Sequence, residues 1–363
     1  MKKKGQTISI IALFAAILIL IFDSKTALLG AREGLTLCSY TVIPSLFPFL
    51  VLSILLTDAL SGSSLRLFKP IGKLCKMPEG SESLMLIGLL GGYPVGAKSI
   101  FDSWKRGKIS KNDALRCLGF CNNAGPAFIF GMCGSVFSNH LAVLHLWLIQ
   151  ITSALFVGAI LPKAKSNEIH KTDSTKISLA AAMSRAISAM LNVCGWVTFF
   201  RIVIVFAQRW FLWLLPVGWN VVLTGICEVA NGCTYLAEME SEGLKFVLCT
   251  LFLSFGGLCV SLQTASVVGE LRTGMYFPGK VIQCIISCFM AMIFAYIKYN
   301  QYQPIILFSI VLLFGVTILL VKKIVAFPGI LVYNVENDCN GGFLCYSGRK
   351  SQSPAATVPM EPR

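Results

Sequence analysis

Leu86-Ile-Gly-Leu-Leu-Gly-Gly-Tyr-Pro-Val-Gly-Ala-Lys98 and Leu223-Thr-Gly-Ile-Cys-Glu-Val-Ala-Asn-Gly232 decide how this chain reads. Both are apolar, both are interrupted by glycine or proline, and both carry an ionisable residue. A membrane-spanning helix needs about 20 consecutive apolar residues, and neither stretch supplies them. A pair of broken apolar segments at corresponding places in two halves of a chain is the sequence mark of a secondary transporter's substrate site.

Composition puts the chain in a membrane. Hydrophobic residues make up 55% of 363 and charged residues 13%. That is too little charge to cover the surface of a soluble protein of this length. The net charge of +14 comes from Lys and Arg in short loops between apolar runs. This placement fits membrane orientation and argues against a nucleic-acid face.

Met1-Lys-Lys-Lys precedes an apolar run from Ile8 to Phe22, read as a retained first transmembrane helix because no small-x-small cleavage site follows promptly. Further runs lie at about 35–56, 114–137, 141–161, 179–208, 245–268, 281–297 and 304–321. The loop with Arg66, Lys69, Lys73 and Lys76, and the loop with Lys105, Arg106, Lys108, Lys111 and Arg116, both read as cytoplasmic. The segment between them, 84–101, must therefore enter and turn back, and Gly91, Gly92 and Pro94 suit the turn.

The second broken segment, 212–236, is followed by Glu238, Glu240 and Glu242 and falls on the other side. Arg272, Lys280, Lys322 and Lys323 return inside. Trp210, Trp213 and Trp219 read as an interfacial belt. The expectation is an all-α polytopic membrane protein of about eight transmembrane helices plus two re-entrant hairpins in an inverted repeat. Its parts are a first helix within 1–30, one repeat over 31–162, a cytoplasmic linker over 163–178, a second repeat over 179–324, and a disordered cytoplasmic tail over 325–363. Weak internal matches agree: Arg32-Glu-Gly-Leu with Arg185-Ala-Ile-Ser, Leu86-Ile-Gly-Leu with Leu223-Thr-Gly-Ile, and Phe120-Cys-Asn-Asn with Phe255-Gly-Gly-Leu. Both termini are expected in the cytoplasm.

The fourteen cysteines include no CxxC pair, and His140, His145 and His170 sit at loops or helix ends, so no metal site is expected. Cys117 and Cys121, or Cys284 and Cys288, lie one helical turn apart and read as small hydrophobes. Cys339 and Cys345 are the pair left open.

Pro44-Ser-Leu-Phe-Pro-Phe49, Gly92-Tyr-Pro-Val-Gly-Ala-Lys98 and Cys121-Asn-Asn-Ala-Gly-Pro-Ala-Phe128 resemble the YlbJ-like sporulation integral membrane proteins, within the nucleoside-recognition (Gate) superfamily. Glu228-Val-Ala-Asn-Gly232 and Gly256-Gly-Leu-Cys-Val-Ser-Leu-Gln263 extend the resemblance to about residues 30–300. It implies a polytopic protein of endospore-forming bacteria. It also implies a link to passage of dipicolinic acid into the forespore across the outer forespore membrane, and a likeness to nucleoside carriers whose hairpins hold substrate and ion.

The candidate substrate-binding residues are Tyr93, Lys98, Asn122, Asn123, Glu228, Asn231, Gln263 and Thr264. Lys98 either snorkels to the interface or attracts a substrate carboxylate. Asn122 and Asn123, beside Gly125 and Pro126, offer amides to a ligand or to a neighbouring helix. Glu228 is the most isolated acid in apolar sequence; it could carry a proton, hold Na⁺ or pair with Lys98, with Asn231 as its neighbour. Tyr93 either stacks on a ring or anchors at the interface.

A carrier of a small, anionic metabolite is expected, with the bilayer and a small-molecule substrate as partners, no cofactor, and H⁺ or Na⁺ as coupling ion. A nucleoside-type carrier and a non-transporting scaffold of the spore envelope are the alternatives. No Ser/His/Asp set or phosphate loop supports an enzyme. Single cysteines at positions 70 and 108 of a cysteine-free chain are expected to resist an external impermeant thiol reagent alike; labelling from opposite faces would make 84–101 an ordinary span.

Overall fold

The computed structural model describes residues 2–60, 68–137, 139–164, 177–215, 218–271 and 274–300. The apolar run 304–321, the tail with Cys339 and Cys345, His170, Arg66 and Arg272, and most of the 163–178 linker lie outside the described residues. Among the described residues 82% are helical and none lies in a strand. Among the described residues five helices are long and apolar enough to cross a membrane: Ser24–Leu56, His140–Ile160, Leu179–Trp210, Glu242–Val268 and Tyr276–Tyr299. The chain is an all-α integral membrane protein.

Helix α1 (Lys2–Phe22) bends at Asp23 into α2 (Ser24–Leu37), which runs through a π-turn at Cys38–Val42 into α3 (Ile43–Leu60). This helix begins eleven residues before the expected 35–56 run. The early part has Lys25, Arg32 and Glu33 among small residues, which lowers its hydropathy, yet it is held by close packing. A Cβ on Gly30 would lie 2.8 Å from the Ile202 Cα, and one on Gly34 would lie 2.8 Å from the Thr198 Cα. Small residues four apart let two helix backbones meet in a setting where hydrophobicity cannot draw them together.

The facing helix is α10 (Leu179–Trp210), and it runs antiparallel along the whole length. Asp23 pairs with Arg209 at 3.0 Å, Glu33 with Arg201 at 2.9 Å, and the Cys38 thiol reaches the Cys194 carbonyl at 3.7 Å. At the other end the Ile177 amide donates to Asp58 at 2.7 Å.

Short α4 (Lys69–Leu74) leads into the first hairpin, α5 (Ser83–Leu90) and α6 (Val95–Lys105). Next come α7 (Lys111–Cys117) and α8 (Pro126–Met132), separated by non-helical residues, then a 3₁₀ turn at Cys133–Ser135 and α9 (His140–Ile160). After α10 the order recurs. The second hairpin is α11 (Trp219–Cys227) and α12 (Val229–Leu236), the second broken helix is α13 (Glu242–Phe255) and α14 (Gly257–Val268), and α15 (Tyr276–Tyr299) is the long helix after it.

The hairpin bounds differ from the expected 84–101 and 212–236. The first extends to Lys105, and the second begins at Trp219 because Leu212–Leu214 form a separate 3₁₀ turn.

The two hairpins enter from opposite ends. The arms of the first reach the end with Asp58 and Arg106, which line one cavity with Ile177. The second ends beside Arg209, since the Tyr235 hydroxyl accepts from Gln208 at 2.7 Å and Arg201 at 3.3 Å. Helix α13 is central: every residue from Lys245 to Phe255 is buried. Lipid-facing residues such as Ile8, Phe14, Leu52, Phe156 and Leu191 are exposed.

Arg116, read above as a loop charge, is instead buried. Its guanidinium donates to the Gly158, Leu161 and Pro162 carbonyls at 2.6, 3.2 and 2.7 Å and so caps α9. Gly34→Ala is expected to destabilise the protein by about 1–3 kcal/mol through overpacking. Gly195→Ala, where a Cβ meets nothing within 4 Å, should be neutral or stabilising. Thermal unfolding in detergent, read by size-exclusion fluorescence, compares them; equal melting would remove the glycine contact from the frame.

Candidate functional site

Two backbone breaks and two hairpin tips converge at the centre of the molecule. In the first tip Gly92 has φ +71°, a conformation open to glycine, and the Tyr93–Pro94 peptide is cis. The tip abuts the first break: a Cβ on Gly92 would lie 2.8 Å from the Gly125 amide nitrogen, and one on Gly88 or Gly96 would strike the Cys121 carbonyl. In the second half Gly256, φ +79°, ends α13, and Gly257 approaches the Cys227 and Ile226 carbonyls of the second tip. Each hairpin thus closes over the break in the helix that follows it.

The polar residues at these breaks are buried. The Asn122 carbonyl oxygen accepts from the Ala97 amide of α6 at 3.2 Å, and its NH₂ donates to Thr264 of α14 at 3.0 Å. That one side chain ties the first hairpin to the second broken helix. Asn123 donates to the Phe120 carbonyl at 2.7 Å and accepts from Lys280 at 3.2 Å and Gln283 at 2.9 Å. Lys280 also donates to Gln283 at 2.8 Å, and Gln283 reaches Gln150 and Ser153 at 3.4 Å each. Lys280 is 1% exposed, so it is not the loop charge the sequence reading made of it.

Glu228 sits at the second tip as the N-cap of α12. Its two oxygens accept from the Ala230 amide at 3.0 Å, the Asn231 amide at 2.6 Å and the Asn231 side chain at 2.7 Å. These are amides that the first turn of a helix leaves without intrahelical partners, and Glu228 satisfies them. Asn231 is thus its neighbour, as expected. Lys98 is not: it pairs with Asp102 at 2.9 Å on a half-exposed face of α6.

The Gln263 amide reaches the Cys259 sulfur at 3.2 Å. The Tyr93 ring stands 6.2 Å from Phe128, and its hydroxyl is buried without a hydrogen-bond partner. The Tyr276 hydroxyl, beside Thr264, Ser261 and Asn122, also lacks a partner of good geometry, as does the Thr224 hydroxyl. Buried polar groups are rarely left unpaired, so these three hydroxyls are among the places where a water or ligand would be held.

A cavity of about 540 Å³ opens beside the first hairpin, bounded by α3, α6 and α10. It runs from Pro94 at the tip to Arg106, and Lys98, Arg106 and Arg185 line it against Asp58 and Asp102. The Lys108 ammonium is held below its ordinary pKa, first by burial and then by Arg106, with Asp58 opposing.

No family model matches the chain. Among curated proteins it is similar to the Sporulation integral membrane protein YlbJ of Bacillus subtilis (strain 168), 23% identical over 319 residues, covering 73% of this chain and 76% of that protein. This likeness supports a YlbJ-like family. No solved structure matches.

The expected residues fall into groups. Asn122 meets Thr264, and Glu228 meets Asn231, while Lys98 stands apart in the cavity. Lys280, Gln283, Gln150 and Ser153 were missed. The available signal was polar pairs three apart, Gln150 with Ser153 and Lys280 with Gln283, which share a helix face within apolar runs. Asn123→Ala should lower stability by about 1–3 kcal/mol, since it leaves Lys280 and Gln283 donors unmatched in the interior. Unfolding in detergent measures it; an unchanged melting temperature would mean that the cluster re-pairs without Asn123.

Proposed function

We propose that this chain is a secondary carrier of a small anionic metabolite, with dipicolinate entering the forespore as its specific substrate and setting. The coarser part, an integral membrane protein tied to sporulation, rests on the likeness to YlbJ. The carrier reading rests above all on the basic cavity that ends at a hairpin tip. Three cationic side chains face two acidic ones there, and one acid, Asp58, is engaged by the Ile177 amide. A dianion leaving water needs several such partners, because an unpaired carboxylate costs several kcal/mol. Arg185 and Arg106 add the charge that Lys98 alone would leave unmatched.

Hairpins entering from opposite ends, and the antiparallel match of α2–α3 with α10, support an inverted repeat of the kind alternating access uses. The end with Lys105, Arg106, Lys108 and Lys111 is the cytoplasmic one by charge, so the cavity faces inward. Both termini belong to that side on this reading, and the membrane is the outer forespore membrane. The coupling ion is H⁺ or Na⁺, and no catalytic step or cofactor is involved. A Gate-type nucleoside carrier is the second reading, favoured by the neutral amides at the breaks. A scaffold is the third, and it gives no use to a charged cavity beside a hairpin tip.

Uptake of labelled dipicolinate and of nucleosides into proteoliposomes, with and without imposed ion gradients, separates these readings. Arg185→Gln and Lys98→Gln should each cut dipicolinate uptake about tenfold, the equivalent of about 1.5 kcal/mol for a charge-assisted contact, and spare nucleoside uptake. Nucleoside uptake without dipicolinate uptake would favour the second reading. Uptake of neither under any gradient would favour the scaffold.

A further inference from the structure

We propose that Cys133, Cys233 and Cys249 form a site for a soft divalent cation of the Zn²⁺ and Cd²⁺ class. The three come from separate elements: the 3₁₀ turn after α8, the middle of α12 and the middle of α13. Their sulfurs all lie within 4.8 Å of one another, and those of Cys133 and Cys249 are 3.5 Å apart. Metal–sulfur bonds of about 2.3 Å place bound sulfurs about 3.8–4.0 Å apart, so small shifts would seat an ion. All three side chains are fully buried, and among the described residues this is the one group of three such ligands.

Charge decides the class of ion. The surroundings include Phe246, Phe252 and Leu236 and offer little to offset a net charge. A divalent ion with two thiolates and one thiol is neutral; the two protons released pass to water. The Tyr93 ring packs against the same apolar cluster, and its hydroxyl is buried without a partner.

The consequence is mechanical. An ion there ties an arm of the second hairpin to both broken helices at once. This inference does not depend on the carrier reading, since it needs only the three sulfurs. Sequence spacing hides the site, because the ligands stand 100 and 16 positions apart.

The test uses the full chain, reduced, in detergent, with Cys339 and Cys345 changed to Ser. Titration with Cd²⁺, followed by the ultraviolet sulfur-to-cadmium band, should give one tight site per chain. Cys133→Ser, Cys233→Ser and Cys249→Ser should each weaken it by more than about tenfold, while Cys288→Ser, at another buried thiol, leaves it unchanged. Cys249→Ala repeats the measurement where a serine variant elutes as aggregate. A folded parent with no band, or a band equal in the parent and both Cys249 variants, would overturn the site and leave three thiols packed as small apolar groups.

Discussion

Backbone amides and carbonyls cannot be left bare in hydrocarbon, and this constraint governs the centre of the protein. Each unsatisfied group there costs several kcal/mol, so a helix may be interrupted at membrane depth only where protein covers the gap. Two helices are interrupted, at 118–125 and at Gly256, and each gap is covered by the tip of the hairpin before it. The close glycine approaches follow from this. The hairpins must come within backbone distance of the breaks, and only residues without side chains permit it. Asn122, Asn123 and Glu228 follow from it as well, since they supply the hydrogen bonds that the helical ladder no longer provides.

Polar residues in the interior therefore divide by task. Those at the breaks are committed to the protein itself: Asn122 bridges two elements, Glu228 caps its own helix, and Lys280 is enclosed by amides. Those in the cavity, Lys98, Arg106 and Arg185, line open space. On the carrier reading the first set keeps the machinery in shape and the second meets the cargo. Three buried hydroxyls without partners among the described residues, on Tyr93, Thr224 and Tyr276, stand between the two sets in character.

Much of the fold was legible because hydrocarbon imposes simple rules. Apolar length located α9, α10, α13–α14 and α15, and glycine with proline marked both hairpins and the first break. What escaped was packing that hydropathy does not register. The start of α2 is rich in charge and small residues, and only the facing backbone of α10 shows why it is helical and closely packed there. Lys280 looked like a loop residue because a lysine at a helix start is ordinarily solvated. Its burial depends on Asn123 and Gln283, which only the fold brings to it. The pairing of Lys98 with Asp102, rather than with Glu228, likewise depends on which way α6 turns.

The pairing of α2–α3 with α10 has a further consequence. Residue contacts keep a nearly constant sum of positions, 23 with 209, 30 with 202, 34 with 198 and 38 with 194, so the two helices share one register from end to end. A charge pair fixes one extremity, a carboxylate on a backbone amide fixes the other, and glycines lock the stretch between. Sliding by one residue would drive Cβ atoms into backbone. The pair is thus a stiff beam, and any working stroke of this molecule must be made by the parts that lean on it.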